Sequence, residues 1–289
     1  MFATNTAELK NGKIDMLKPK LEANGIECDF FNFDYRTWLA KQNSNKMGIS
    51  ISGGADSAIG FYLMAKYLPN DIELVPWSMY EKVSGKVDQS RPYTIHAAED
   101  VVEWVKTNLP EANIGKHIKL EFDRNDEAEL AYVQANPIPD DDIYHPQWRV
   151  KDKGRVKMNQ STKLMMDSYN KGEIGVIINF RTFNPPQDFL DEISVELKHT
   201  KFHYEPRRSV KVTLKEKLAP RIYRPFLNVD KKFIAELYKQ ENLMETLFPL
   251  TESCIGFSSD TNGFSEPCRQ CFWCVERYWA FGCYDGGVQ

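Results

Sequence analysis

The stretch ISISGGADSAIGFYLMAKYL, Ile49 to Leu68, sets glycines and serines at the junction between a short apolar run and an amphipathic segment. The run MGISIS, Met47 to Ser52, alternates and has the length of a buried strand. After Asp56, apolar side chains recur at Ile59, Tyr62, Leu63 and Tyr67, which is helical spacing. The unit therefore reads as strand, tight loop, helix. Gly53 and Gly54 can take positive φ and leave their N–H groups unobstructed, and the helix start adds its positive end. The junction is built to receive an anion, phosphate above all. Asp56 and Ser57 fall in the first helical turn, where a carboxylate caps N–H groups or holds a magnesium ion, while Ser52 and Ser57 offer hydroxyls to phosphate oxygens.

The lysine of G-x-x-x-x-G-K-[ST] is missing, so this is not a Walker loop. An ordinary glycine turn would explain the glycines but not the serines and the carboxylate placed around them. SGGADS, Ser52 to Ser57, resembles the S-G-G-x-D-S signature of the PP-loop ATP pyrophosphatases at all six positions. That resemblance implies an α/β fold, an adenine-nucleotide alpha-hydrolase-like parallel sheet flanked by helices. It also implies an ATP site made of Ser52, Gly53, Gly54, Ala55, Asp56 and Ser57, with Ser78 and Met79 from the next strand. ATP and Mg2+ are the ligands such a loop takes, and cleavage falls between the α and β phosphates.

The chain has 289 residues, with 37 Lys plus Arg against 41 Asp plus Glu and a formal net charge of -4. That balance argues against a protein held to nucleic acid by global electrostatics and favours a small partner. A local exception is RRSVKVTLKEKLAPRIYR, Arg207 to Arg224, basic enough to meet a phosphate-rich ligand or to form a solvated face. No stretch approaches a membrane-spanning helix, and MFATNTAELKNGK has no basic region followed by an apolar run. The expectation is a soluble, cytoplasmic protein without a signal peptide.

Strands and helices alternate along the chain, the pattern of a parallel sheet wrapped by helices. DIELVPWSM, Asp71 to Met79, reads as a strand, TIHAAEDVVEWVKTNL as a helix and HIKLEFD as another strand. Residues Glu127 to Val156, with prolines at 137, 139 and 146, read as a loop or lid. A helix is expected over about Ser161 to Lys171. IGVIINF, Ile174 to Phe180, follows as a strand apolar on both faces. In open α/β sheets the ligand lies beyond the carboxyl ends of the strands, so Asn179 to Phe189 should border the site, with Asn179, Arg181 and Gln187 as its donors to an acceptor. Arg181 is the best placed of these to grip a carboxylate with two parallel bonds; a surface pair with Asp188 or Asp191 is the alternative. Residues 1–45, read as a helix around Ile14 to Ala23 and a strand around Cys28 to Phe33, form an added arm or an early part of the sheet. Residues 46–250 form the nucleotide-binding domain and 251–289 a C-terminal module.

Four of the six cysteines cluster at Cys254, Cys268, Cys271 and Cys274, the last three at two-residue gaps. Such spacing lets successive sulfurs converge on one ion, and four thiolates complete a tetrahedral Zn2+ shell. An iron–sulfur cluster is the rival, since C-x-x-C-x-x-C also serves that purpose; disulfides are a weak third. Cys28 and Cys283 read as inert thiols.

SGGADS, then RPFLNVDKKFIAELY (Arg224 to Tyr238), then LTESC running into PCRQCFWCVERYWAF, together resemble the 7-cyano-7-deazaguanine synthase family. Pro225, Lys231, Thr251, Ser253, Cys254, Cys268, Cys271, Cys274, Arg277 and Phe281 occupy the matching positions. The resemblance implies ATP-dependent conversion of a ring carboxylate to an amide and a nitrile, with ammonia as nitrogen source and a 7-deazapurine-like carboxylate as partner. It puts Lys231 beside the phosphates. A surface lysine opening a helix is the alternative. The family's G-x-N-x-x-D and Y-P-D-C segments have no counterpart in NFRTFNPPQDF, which leaves the acceptor open. A tRNA-modifying PP-loop enzyme such as a sulfurtransferase and a non-catalytic nucleotide-binding module are the competing functions. Homodimerisation is left open.

Overall fold

A computed structural model describes residues 20–30, 35–81, 94–123, 126–135, 163, 167–168, 170–172, 174–182, 185–186, 188–189, 192, 222–227, 229–254, 256 and 260–289. Gln187, most of 136–172 and most of the basic stretch 207–224 lie outside these residues.

The first elements are β1 (Lys20–Ala23) and β2 (Ile26–Asp29), an antiparallel pair forming a two-stranded sheet of its own. Asn24 and Gly25 join them with φ of 53° and 72°, the left-handed pair that a two-residue hairpin demands. The helix expected over residues 14–23 is thus a strand at its described end, and the strand expected at 28–33 begins earlier. The hairpin belongs to neither the main sheet nor a detached arm: Leu21, Ala23, Cys28 and Phe30 are buried in the main core. The short α1 (Tyr35–Lys41) follows, seated by Tyr35 and Leu39.

The main sheet is five-stranded and wholly parallel, in the order β5-β4-β3-β6-β7. Its strands are β3 (Lys46–Ser50), β4 (Glu73–Glu81), β5 (Ile118–Phe122), β6 (Val176–Ile178) and β7 (Ile222–Tyr223). Connections run from β3 to β4 and β5 on one side and return to β6 and β7 on the other. The order therefore reverses at β3, and in such sheets the crevice at the reversal is where ligands bind. β6 is shorter than IGVIINF suggested but buried throughout, as its two apolar faces required.

Helices α2 (Ala55–Tyr67) and α3 (Thr94–Asn108) pack on the sheet, with α5 (Lys231–Gln240) beside α2. α2 is buried on nearly every side: Ala58, Ile59, Gly60, Phe61, Leu63 and Met64 are all inaccessible. The spacing suggested a one-faced helix; α2 instead lies enclosed between sheet and neighbouring helices. Gly60 makes this possible, because a Cβ there would collide with the ring of Phe180 beyond β6. The segment 127–135, expected to be a loop, is helix α4 (Glu127–Ala135); its run of helix formers ends before the prolines begin. α6 (Phe272–Phe281) starts at the cysteine cluster and packs against α5. No helix among the described residues is long and apolar enough to cross a membrane.

Candidate active site and metal centre

The glycine loop, Ser52 to Gly54, lies between the carboxyl end of β3 and the start of α2, at the sheet's reversal point. Gly53 takes φ of 80°, as the turn requires, whereas Gly54 is extended and precedes α2 without supplying a side-chain cap. The loop is braced internally: Ser57 Oγ donates to Gly54 O at 2.9 Å, and Ser52 N donates to Ser57 Oγ at 3.2 Å. Ser52 Oγ lies 3.1 Å from Ser57 Oγ and accepts from Gly54 N at 3.3 Å. Ala55 is buried at the helix start, its carbonyl accepting from Tyr238 Oη on α5 at 2.9 Å.

Asp56, in the first turn of α2, faces two residues from distant parts of the chain. Lys231 Nζ donates to its Oδ2 at 2.6 Å, and Thr182 Oγ1, just beyond β6, donates to the same oxygen at 3.2 Å. The other oxygen, Oδ1, is buried with no hydrogen-bond partner among the described residues. Lys231 is the first residue of α5, whose cap is Asp230, its Oδ1 accepting from Phe233 N at 3.0 Å. Lys231 is buried, which excludes the surface-lysine alternative. An ammonium in the first turn of a helix opposes the helix dipole, and burial removes its water. Two carboxylates offset both costs: Asp56, and Glu276 of α6, whose Oε2 lies 3.7 Å from Nζ. Burial pulls the Lys231 pKa down, and attraction to these carboxylates more than reverses that, leaving it above its ordinary value. Burial pushes the Glu276 carboxyl up to about 7 against the pull of Lys231.

The stretch after β6 borders this site through Thr182, a donor the sequence reading passed over although it lies in the same segment. Arg181 is adjacent in the chain and exposed, and Asn179 is partly buried with its N–H bonded to Tyr223 O at 2.9 Å. Ser78 and Met79 point to opposite faces of β4, as neighbours on a strand must. Ser78 is buried and donates to Ile51 O at 2.6 Å, with His117 Nε2 at 2.8 Å. Its one proton is thereby used, so His117 donates from Nε2. Met79 packs with Val75, Trp77 and Ile177 on the other face, away from the His117 contact.

The four cysteine sulfurs, from Cys254, Cys268, Cys271 and Cys274, all lie within 4.8 Å of one another, with Cys268 and Cys274 3.9 Å apart. Backbone N–H groups of Gly256 and Cys268 donate to Cys254 Sγ at 3.3 and 3.2 Å, and that of Cys271 to Cys268 Sγ at 3.4 Å. Hydrogen bonds from Cys254, Cys271 and Cys274 pull the Cys268 thiol well below its usual range, toward the thiolate a metal requires. The group could hold a metal ion.

Arg277 welds the cysteine group to the glycine loop. It is fully buried, donates to Thr251 Oγ1 at 2.8 Å and Ser253 Oγ at 3.2 Å, and pairs with Asp285 at 2.9 Å. Asp285 in turn accepts from the N–H groups of Ser253 and Cys254 at 2.9 and 2.8 Å. The segment so fixed reaches the glycine loop, Glu252 N donating to Gly53 O at 2.8 Å. Sequence reasoning missed Glu276 and Asp285. A lone carboxylate beside Arg277, inside the otherwise apolar and aromatic FWCVERYWAF, was the signal for the first.

No protein-family model matches the chain, and neither does any curated protein. Solved structures similar to it include an NAD+ synthetase from Burkholderia pseudomallei, at 14% identity over 87% of this chain and 82% of that one, TM-score 0.43. An NMN synthetase from Francisella tularensis is 14% identical over 87% and 94% of the two chains, TM-score 0.39. The U34-tRNA thiolase NcsA from Methanococcus maripaludis, solved with its [4Fe-4S] cluster, is 12% identical over 73% and 67%, TM-score 0.39.

Proposed function

We propose that the chain is an ATP-dependent carbon–nitrogen ligase that activates a carboxylate as its adenylate, releases pyrophosphate, and passes the acyl group to ammonia. The observation that carries this reading is the Lys231–Asp56 pair at 2.6 Å, buried above an uncapped helix start that follows a glycine phosphate loop. Asp56 Oδ1, buried and without a hydrogen-bond partner among the described residues, fits a magnesium ion brought in with the nucleotide. Magnesium would supply Lewis-acid charge at the phosphates. The chain's own part is to hold the phosphates on the first-turn N–H groups of α2 and the hydroxyls of Ser52 and Ser57, and to offset their charge with Lys231. The substrate carboxylate oxygen attacks the α phosphorus, the bond to the β-phosphate oxygen breaks, and pyrophosphate leaves. Ammonia then attacks the acyl carbon, AMP leaves with the carboxylate oxygen, and an amide remains. A second adenylation, at the amide oxygen, would permit loss of AMP and two protons to give a nitrile.

A 7-deazaguanine-type carboxylate is the acceptor we favour, on the strength of the resemblance in sequence. Arg181, beside Thr182 at the mouth, is the side chain we assign to its carboxylate. For the cysteine centre we favour zinc. Tetrahedral zinc with bonds of about 2.3 Å sets its sulfurs about 3.8 Å apart, which matches the 3.9 Å between Cys268 and Cys274, whereas a four-iron cluster spreads its ligands wider.

The test is product analysis with ATP, magnesium, ammonium and a panel of carboxylated deazapurines, with tRNA as a separate arm. AMP and pyrophosphate that require a deazapurine carboxylate are expected, with turnover lost in Asp56→Asn by at least about a hundredfold, roughly 2.7 kcal/mol of barrier. ADP and phosphate would refute the reading, and turnover with tRNA alone would move the assignment to RNA modification.

A further inference from the structure

α6 begins at the cysteine cluster and sends two charged side chains inward within one turn of Cys274: Arg277, locked by Thr251, Ser253 and Asp285, and Glu276. Lys231 thus stands between carboxylates from opposite ends of the chain, Asp56 Oδ2 at 2.6 Å and Glu276 Oε2 at 3.7 Å. Their side chains are 18% and 5% exposed, and that of Lys231 10%. One carboxylate already neutralises the ammonium. A second, nearly dry carboxylate is a surplus that costs free energy unless the first is to be taken by something else.

We infer that Glu276 is a positioning residue, the second seat of the Lys231 ammonium when Asp56 passes to a metal-bound nucleotide. This rests on the reading of Asp56 as the magnesium holder. Lysine suits the exchange, since its ammonium is a point charge with three donors on a flexible stem. It can slide from Asp56 toward Glu276 while turning a donor to a phosphate oxygen. No covalent bond forms and no proton moves; one ion-pair contact replaces another. Glu276 itself stays put because its backbone is fixed on one side by the cysteine cluster and on the other by Arg277. The metal module would thereby set the aim of a lysine in the nucleotide site.

Calorimetric binding of the non-cleavable analogue α,β-methylene ATP, titrated with magnesium, tests this in Glu276→Gln and Glu276→Asp, each made in the natural and the Lys231→Met background. In Glu276→Gln the ammonium keeps to Asp56 and competes with magnesium, so the concentration for half-saturation should rise about tenfold. Glu276→Asp should hold it to a two- to threefold rise, and neither change should matter once Lys231 is Met. No shift in Glu276→Gln, or an equal shift in the Lys231→Met background, overturns the inference, because a packing role would be indifferent to Lys231. If Glu276→Gln does not fold, the Glu276→Asp comparison decides alone by the same criterion. Failure of the unaltered protein to bind the analogue with magnesium would refute the ATP reading and this inference with it; binding with unshifted variants overturns the inference only.

Discussion

Replacing Arg277 by Met keeps an unbranched stem between Phe248 and Phe281 but removes the guanidinium. Three kinds of interaction are lost. The ion pair with Asp285 at 2.9 Å is buried at both ends, the side chains being 1% and 6% exposed, and breaking such a pair from one side costs about 3–5 kcal/mol. Asp285 retains its bonds from Ser253 and Cys254 N–H, which draws the cost toward the lower bound. Thr251 Oγ1 and Ser253 Oγ each lose a donor, at about 0.5–1.5 kcal/mol apiece. The guanidinium also sits 4.1 Å from the Phe248 ring centre, a dry cation–π contact worth about 2 kcal/mol. These contributions overlap and do not add, so the expected loss is about 4 kcal/mol. Urea unfolding at a fixed zinc concentration should show a lowered midpoint with an unchanged slope. Arg277→Lys, keeping the charge but not the fork, should recover less than half. A double-mutant cycle with Asp285→Asn should show coupling of at least about 1 kcal/mol. A loss below about 1 kcal/mol in Arg277→Met, or strict additivity in the cycle, would show that Arg277 is not the weld described here.

Gly60→Ala should destabilise the fold by about 1–3 kcal/mol despite alanine's better helix propensity, because the new methyl has no room beside Phe180; a thermal melt no lower than that of the unaltered protein would contradict the packing. Burial, with Lys106 nearby, lowers the His117 pKa from 6.5 to about 4. The unfolded chain therefore binds the extra proton between those values, and the neutral imidazole's contribution is complete above pH 6.5 and lost as pH falls toward 4. Allowing for screening at a partly exposed ring, the difference in unfolding free energy between the natural protein and His117→Gln should grow by no more than about 2 kcal/mol across that window. A flat difference would remove His117 from the acid response. For the cysteine centre, elemental analysis should give about one zinc per colourless chain, and Cys274→Ser should lower the melting temperature. Brown protein carrying iron and acid-labile sulfide would establish the cluster instead.

The glycine turn after β3 and the convergence of the four cysteines were legible in the sequence because each is a local device: a turn needing glycine at Gly53, and thiols at fixed short gaps. What escaped was decided by distance along the chain or by turn chemistry. The hairpin was marked by Asn24-Gly25, yet its strands are short and their apolar residues also fit a helical period. α4 was hidden by the prolines after it. α2 looked one-faced because enclosure by α5 cannot be seen from residues 55–67. Lys231 and Asp56 are separated by 175 positions; no spacing rule connects them, and only the family resemblance put both at one site. Glu276 was obscured by the cysteines and aromatics that surround it.

The charges gathered at the start of α2 are arranged against the demands of stability alone. Among the described residues, Asp56, Glu276, Asp230 and Asp285 bring four carboxyl groups into or beside the core, and Lys231 and Arg277 are the cations that lie against Asp56, Glu276 and Asp285. Asp230 is settled by a backbone N–H group and Asp285 by two such groups and Arg277, which leaves Asp56 and Glu276 to share Lys231. A buried oxygen without a donor, as at Asp56 Oδ1, costs about 1–3 kcal/mol, and replacing Asp56 by Asn would reduce the surplus of negative charge while still receiving Lys231. A chain selected only to fold would not keep this pattern. A cation at Oδ1 removes the imbalance and, by engaging Asp56, weakens its hold on Lys231. The same cation needs further oxygens, which a phosphate chain on the α2 helix start would supply. On the proposed reading, charge at Asp56, the uncapped helix and the Lys231 ammonium would be satisfied together by one ligand of mixed sign, a metal-bound nucleotide, whereas metal alone leaves the helix unmet and anion alone leaves Asp56 unmet.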